Sequence, residues 1–214
     1  MSGQTAIVNG DELQAYDFGP AHPLKPERIR VALALMKSYD LLSSVPTLRP
    51  RLATDKELLL FHSEAYLNKV REYSRRGYGL LDAGDTPAFR GCYEAASWVA
   101  GASLVATEAV MKGTATHTFN LSGGLHHAHP ERASGFCILN DPAICISFLK
   151  KNYGIKRIAY IDIDAHHGDG VMYGFYHDPS VLDIDLHEDG RYLFPGTGSQ
   201  EEIGEGDASG LKIN

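Results

Sequence analysis

Residues 160–170 read Y-I-D-I-D-A-H-H-G-D-G, three aspartates and two histidines crowded at the end of an apolar run. Ile158, Ala159, Tyr160, Ile161 and Ile163 have the character of a strand buried in a parallel sheet. Such a strand does not end in unpaired carboxylates and imidazoles without a cause, because isolated charges are costly to desolvate. A metal ion is the usual cause. Asp164 and His166 lie two apart, so on an extended backbone both side chains leave one face and converge on a single cation, with Asp162 one step deeper on that side. Carboxylate plus imidazole suits zinc or a neighbouring first-row metal.

A second cluster lies upstream. Residues 120–141 read N-L-S-G-G-L-H-H-A-H-P-E-R-A-S-G-F-C-I-L-N-D and follow a short β-like run at 116–119, so the tandem His126 and His127 also sit just past a strand. Eight of the ten histidines fall between His117 and His187, which concentrates imidazoles where a catalytic face would lie. His22 and His62, outside both clusters, read as ordinary surface or core histidines.

Composition bounds the rest. With 214 residues, 43% hydrophobic and 22% charged, the chain reads as one globular domain, 1–214. No stretch approaches the roughly eighteen consecutive apolar residues of a membrane span, and M-S-G-Q-T-A-I-V-N-G lacks a signal peptide's basic and apolar regions. A cytoplasmic protein that does not meet a membrane is expected. Three scattered cysteines, Cys92, Cys137 and Cys145, fit reduced thiols better than a disulfide framework. Cys137 reads as a small buried hydrophobe. A net charge of −7 with no Lys/Arg cluster argues against direct nucleic-acid binding.

Strand-like and helix-like patterns alternate along the chain. A strand is expected at 6–8. A helix opens at Pro26 with Ile29, Leu33, Met36 and Tyr39 on one face. Thr54 and Glu57 form a capping box, and 89–112 is a largely buried Ala/Gly-rich helix ending at Gly113. Asp141, Pro142 and Gly154 mark the cap, first residue and end of another helix. Strands recur at 157–164 and 181–186 with a short helix between them. This alternation predicts an α/β fold, a parallel β-sheet covered by helices on both faces, with chemistry at the carboxyl ends of the strands.

G-G-L-H-H-A, S-G-F-C-I-L-N-D, D-I-D-A-H-H-G-D-G-V and L-H-E-D-G-R-Y-L-F-P-G-T-G, in this order, resemble the zinc-dependent histone deacetylase superfamily and its bacterial acetoin utilization branch. The resemblance begins near Tyr16, in A-Y-D-F-G-P-A-H-P-L-K-P-E-R-I, and runs to the last residue. It implies an arginase/deacetylase-like fold and removal of acetyl groups from acetyl-lysine in a protein or from a smaller acetylated amine. Asp164 and His166 would be metal ligands for zinc, with ferrous iron as an alternative. His127 would be the general base, His126 its electrostatic partner, and Asp162 and Asp169 the carboxylates that hold His126 and His127 respectively. Phe136, after Gly135, and Phe194 would flank the acyl-lysine stem. Asp85 would hold the substrate backbone at the rim, and Arg28 would line an internal acetate cavity.

Two departures from the family pattern stand out. Asp185 replaces a serine or threonine beside the family's structural potassium or sodium ion, near Asp162, Asp185 and Leu186. The third metal ligand, an aspartate, and the tyrosine that polarises the carbonyl belong to family strands beyond G-L-K-I-N. A C-terminally truncated domain is therefore expected, weak or inactive alone, with an uncovered sheet face or edge that favours self-association or a completing chain. Two other readings stay open: a manganese ureohydrolase, which shares the fold and D-A-H elements, and a non-catalytic protein that binds metal or a partner.

Overall fold

A computed structural model describes residues 4–214 of the protein; the first three residues of the M-S-G-Q-T-A-I-V-N-G start lie outside the described residues. Strand β1 (Thr5–Val8) pairs in parallel with β2 (Thr47–Leu48) and β3 (His117–Asn120). A second sheet has the order β4 (Ile158–Asp162), β5 (Val181–Asp185), β6 (Lys212–Ile213), again parallel. Parallel strands require crossovers, and helices supply them. They are α1 (Glu27–Ser38), α2 (Asp55–Leu58), α3 (Glu64–Arg76), α4 (Cys92–Met111), α5 (Asp141–Tyr153) and α6 (Asp169–Gly174). The α/β alternation is as read from the sequence; among the described residues it forms two three-stranded parallel sheets.

Helix α4 is the centre of the core, with Ala95, Ala96, Val99, Ala100 and Leu104 buried. Small residues let chain segments approach it closely. A Cβ on Gly101 would stand 1.8 Å from the Arg51 carbonyl oxygen, and in the same contact Ala53 N–H donates to Ser97 O at 3.0 Å. The helix starts at Cys92 rather than Phe89 because Gly91, at φ +85°, turns the chain just before it. The Thr54–Glu57 capping box is formed.

Two local readings change. Asn140, not Asp141, caps α5, accepting from Ala143 N–H at 2.9 Å. This leaves the Asp141 carboxylate free for another task, described below. On α1 no residue is buried and Tyr39 is 71% exposed, so the apolar face expected to pack there is only partly covered.

The second sheet has two unlike faces. Inward lie Asp162, Val181, Asp183, Asp185 and Lys212, all buried, with α5 and α6 packed around Val181 through Ala143, Ile146, Val171 and Phe175. Outward lie Ile161 (62% exposed), Ile163 (78%) and Ile213 (48%). A strand buried on both faces was expected at 158–163; among the described residues its outer apolar face is open. The strand also ends at Asp162, two residues before the expected boundary.

Asp183 carries a pH signature. It is buried opposite Lys212 in the strand register, and neither carboxylate oxygen has a hydrogen-bond partner among the described residues. Lys212 Nζ donates instead to the Val181 carbonyl at 2.7 Å. Burial, reinforced by the Asp185 charge, pushes the Asp183 carboxyl up to about 7. The unfolded chain releases this proton near the ordinary carboxylate value of about 4, whereas the folded chain keeps it to about 7, so stability falls as pH rises across that window. Asp183→Asn is therefore expected to stabilise the fold by an increment that grows between these two values and levels off above them. Urea unfolding at several pH values checks this, and a parent–variant gap independent of pH would exclude Asp183 as the titrating group.

Candidate active site

The loop after β3 carries the tandem histidines, and Asp141 holds it. Its buried carboxylate accepts from Gly124 N–H (3.1 Å), Leu125 N–H (2.8 Å) and the Ser103 hydroxyl (2.5 Å). Asn140 completes the clasp, its amide donating to the carbonyls of His126 (3.0 Å) and Ala128 (2.9 Å). The loop then lies on α6 at Gly170, where a Cβ would come within 2.4 Å of the His126 carbonyl oxygen. Glycine is required there by contact, not by turn geometry.

Each histidine of the pair is backed by a carboxylate. His126 Nδ1 lies 2.6 Å from Asp162 Oδ2 and His127 Nδ1 lies 2.7 Å from Asp169 Oδ1. Both bonds assign the Nδ1–H tautomer and leave Nε2 as the working nitrogen. The two Nε2 atoms stand 3.1 Å apart, a hydrogen bond only if one is protonated. Burial lowers both imidazoles. For His126 the hydrogen bond and charge of Asp162 outweigh burial and raise it above the ordinary value. For His127 burial prevails over Asp169, aided by the positive His126, and holds it below. The two imidazoles are thus pushed apart, His126 toward the protonated form and His127 toward the neutral one. Asp162 and Asp169 are both held down to about 2, because hydrogen bonds from these histidines overcome the effect of burial.

Asp164 and His166 stand beside this pair, beyond the end of β4. They meet through a turn, not through strand alternation: Asp164 Oδ1 accepts from His166 N–H at 2.8 Å and faces His166 Nδ1 at 2.9 Å. Ligands of a tetrahedral zinc ion at about 2.0 Å stand about 3.3 Å apart, so the pair is close to ligand spacing. Both side chains are about half exposed, and the His166 ring lies 5.9 Å from that of His127. Among the described residues, no group of three or more His, Cys, Asp and Glu side chains is arranged to hold a metal ion. The donor chemistry fits zinc, but the donor count stops at two.

The remaining expected residues are distributed around this centre. Phe194 packs against His127 with ring centroids 5.0 Å apart, and a Cβ on Gly135 would strike both His127 Cδ2 (2.4 Å) and Phe194 Cε1 (2.8 Å). Phe136 follows at φ +70°, its ring 4.5 Å from that of His22. Asp85 is next to this rim, its carbonyl 3.0 Å from His22 Nε2. Arg28 lines a cavity of about 300 Å³ behind the histidine loop, with Tyr16, Leu24, Ile29, Gly123 and Leu125. Asp185 is buried: Oδ2 accepts from Gly168 N–H at 2.6 Å and Oδ1 has no hydrogen-bond partner among the described residues. Burial, with the Asp162 charge adding to it, pushes the Asp185 carboxyl up to about 6. His187 lies against His167, ring centroids 4.8 Å apart and planes tilted by 44°, rather than against the tandem pair.

The histone deacetylase domain family matches residues 22–214. The acetoin utilization protein AcuC of Bacillus subtilis (strain 168) is 43% identical over 98% of the chain. Those of Staphylococcus aureus (strain MSSA476) and Staphylococcus xylosus are each 38% identical over 100% of it. This chain belongs to the histone deacetylase family. It spans 56–57% of the length of these relatives.

In this deacetylase-family chain several supporting residues escaped the sequence reading. Asp82 Oδ1 accepts from the N–H groups of Gly84, Asp85 and Thr86, and Oδ2 bonds the Thr86 hydroxyl. Thr86 Oγ1 accepts from Phe136 N–H at 3.1 Å, so Asp82 fixes both the rim loop and the Phe136 turn. Tyr16 works from the other side, its hydroxyl donating to Phe136 O (2.7 Å) and accepting from Ile138 N–H (2.9 Å). The D-A-G-D-T turn was a usable signal for Asp82; the role of Tyr16 rests on hydrogen-bond partners more than 100 residues distant. His22, read as an ordinary histidine, lies at the rim against Phe18 and Phe136. His62 is a core histidine, accepting from Asn140 N–H.

Proposed function

We propose that this chain carries the proton-transfer half of a metal-dependent deacetylase acting on acetyl-lysine or a related acetylated amine in the cytoplasm. The observation that carries this reading is the pair of carboxylate-backed histidines beside the Asp164–His166 donors. His127 Nε2 takes a proton from the attacking water and delivers it to the leaving nitrogen, while Asp169 keeps the ring in the tautomer that makes this possible. His126, whose protonated form Asp162 favours, stabilises negative charge developing on the reacting carbonyl. Phe136 and Phe194 flank the acyl stem, Asp85 meets the substrate backbone, and Arg28 lies on the cavity that would receive acetate.

Asp164 and His166 would hold zinc or ferrous iron, whose chemistry when bound is to polarise the carbonyl and acidify water. The unpartnered Asp185 Oδ1, next to Asp162 and Leu186, supports a structural potassium or sodium ion there. The open Ile161–Ile163–Ile213 face supports self-association or a completing chain.

The test is hydrolysis of an acetyl-lysine peptide with zinc or ferrous iron, together with sedimentation. With two donors where a catalytic zinc needs three, the 214-residue chain alone is expected to show little or no turnover and to associate. Deacetylation is expected from a form of the full length of its relatives. A monomeric, fully active 214-residue chain would overturn the ligand reading. Two manganese ions per site, rather than one zinc or iron, would point to ureohydrolase chemistry. Retained metal binding with no turnover in any form would leave a binding protein.

A further inference from the structure

His129 is the one histidine of the tandem-histidine loop that the mechanism above leaves idle. It sits on the opposite side of Asp169 from His127. Its Nε2 lies 3.1 Å from Asp169 Oδ2, while His127 occupies Oδ1. Its ring is stacked on Tyr173 of α6, 6.3 Å between centroids and 16° from parallel. A tight turn closed by His129 N–H to Arg132 O (2.9 Å) also brings Arg132 Nη2 to 2.7 Å from the same Nε2.

One nitrogen cannot both donate to a carboxylate and accept from a guanidinium. Burial decides between them. Asp169 is 3% exposed, whereas Arg132 is exposed and can donate to solvent. An unsatisfied buried anion is expensive, and a surface contact to arginine is worth about 1 kcal/mol or less. Nε2 therefore bears the hydrogen and points it at Asp169. We propose that His129 is a positioning residue: together with His127 it clamps both oxygens of Asp169, fixing the carboxylate and through it the orientation of the His127 ring. Its consequence for catalysis rests on His127 being the base; the clamp itself does not.

Two measurements test this on the 214-residue chain with ¹⁵N-labelled histidine. In the unaltered protein the nitrogen spectrum is expected to show His129 Nε2 as a protonated, hydrogen-bonded N–H. An unprotonated Nε2 there overturns the proposal without any variant. His129→Phe keeps the stack on Tyr173 and removes the donor, so the downfield Nδ1–H resonance of His127 should shift upfield or vanish by exchange. The corresponding His126–Asp162 resonance should stay, and His129→Gln, which retains a donor, should restore the His127 signal. An unmoved His127 resonance in the Phe variant overturns the clamp. Should that variant lose both resonances by misfolding, the unaltered spectrum decides alone. In a catalytically active form, His129→Phe should lower kcat about tenfold with KM unchanged, and His129→Gln should recover most of it. Absence of turnover in a form of the full length of its relatives would count against the deacetylase reading while leaving the resonances where they are.

Discussion

A His127→Ala variant, in a form of the protein that turns over an acetylated substrate, is expected to lose about 10² to 10⁴-fold in kcat while binding metal as the parent does. The magnitude follows from what is removed. On the proposed reading His127 Nε2 is the proton acceptor: burial holds the imidazole below its ordinary value, and the 2.7 Å bond to Asp169 orients the ring. Without it, a proton from the attacking water loses the one acceptor backed by Asp169. Metal content should be unchanged, since Asp164 and His166 lie on a different segment and form their own turn. Steady-state kinetics with metal analysis of the same sample tests both halves. A loss below roughly tenfold would remove His127 from the role of base.

Asp164→Ala is expected to abolish zinc binding altogether. Its Oδ1 would be one of the two proposed donors, and it also accepts the His166 N–H that holds the neighbouring imidazole in place. Removing it leaves one half-exposed imidazole, which does not make a zinc site. Zinc stoichiometry after dialysis reads the effect directly. Unchanged stoichiometry in the variant would show that the ligands lie elsewhere.

The sequence made the site more legible than the supports around it. His126, His127, Asp162, Asp164, His166 and Asp169 lie in two short runs whose chemistry has few innocent explanations. The helix at 141–154 could be bounded because Pro142 and Gly154 act locally, one by its fixed φ and the other by its left-handed conformation. Between adjacent Asn140 and Asp141, however, both suit a cap. The choice depends on Ser103, Gly124 and Leu125, which draw the aspartate away. Strand β4 looked buried on both sides because Ile161 and Ile163 are apolar, yet apolarity states a preference for cover without supplying it. Likewise, convergence of Asp164 and His166 was anticipated from strand alternation but arises from a side-chain-to-backbone turn after the strand has ended.

The Asp141 clasp has a consequence for how the molecule comes apart. One carboxylate ties the histidine loop, the first turn of α5 and Ser103 of α4, the helix at the centre of the core. The amides of Gly124 and Leu125 are both held by that junction, so the reactive loop is expected to open together with the helical layer. Most enzymes place reactive groups on loops that loosen first. Here, warming or denaturant should fray the thinly covered α1 well before it disturbs the two histidines, and their disorder would report the melting of the core itself.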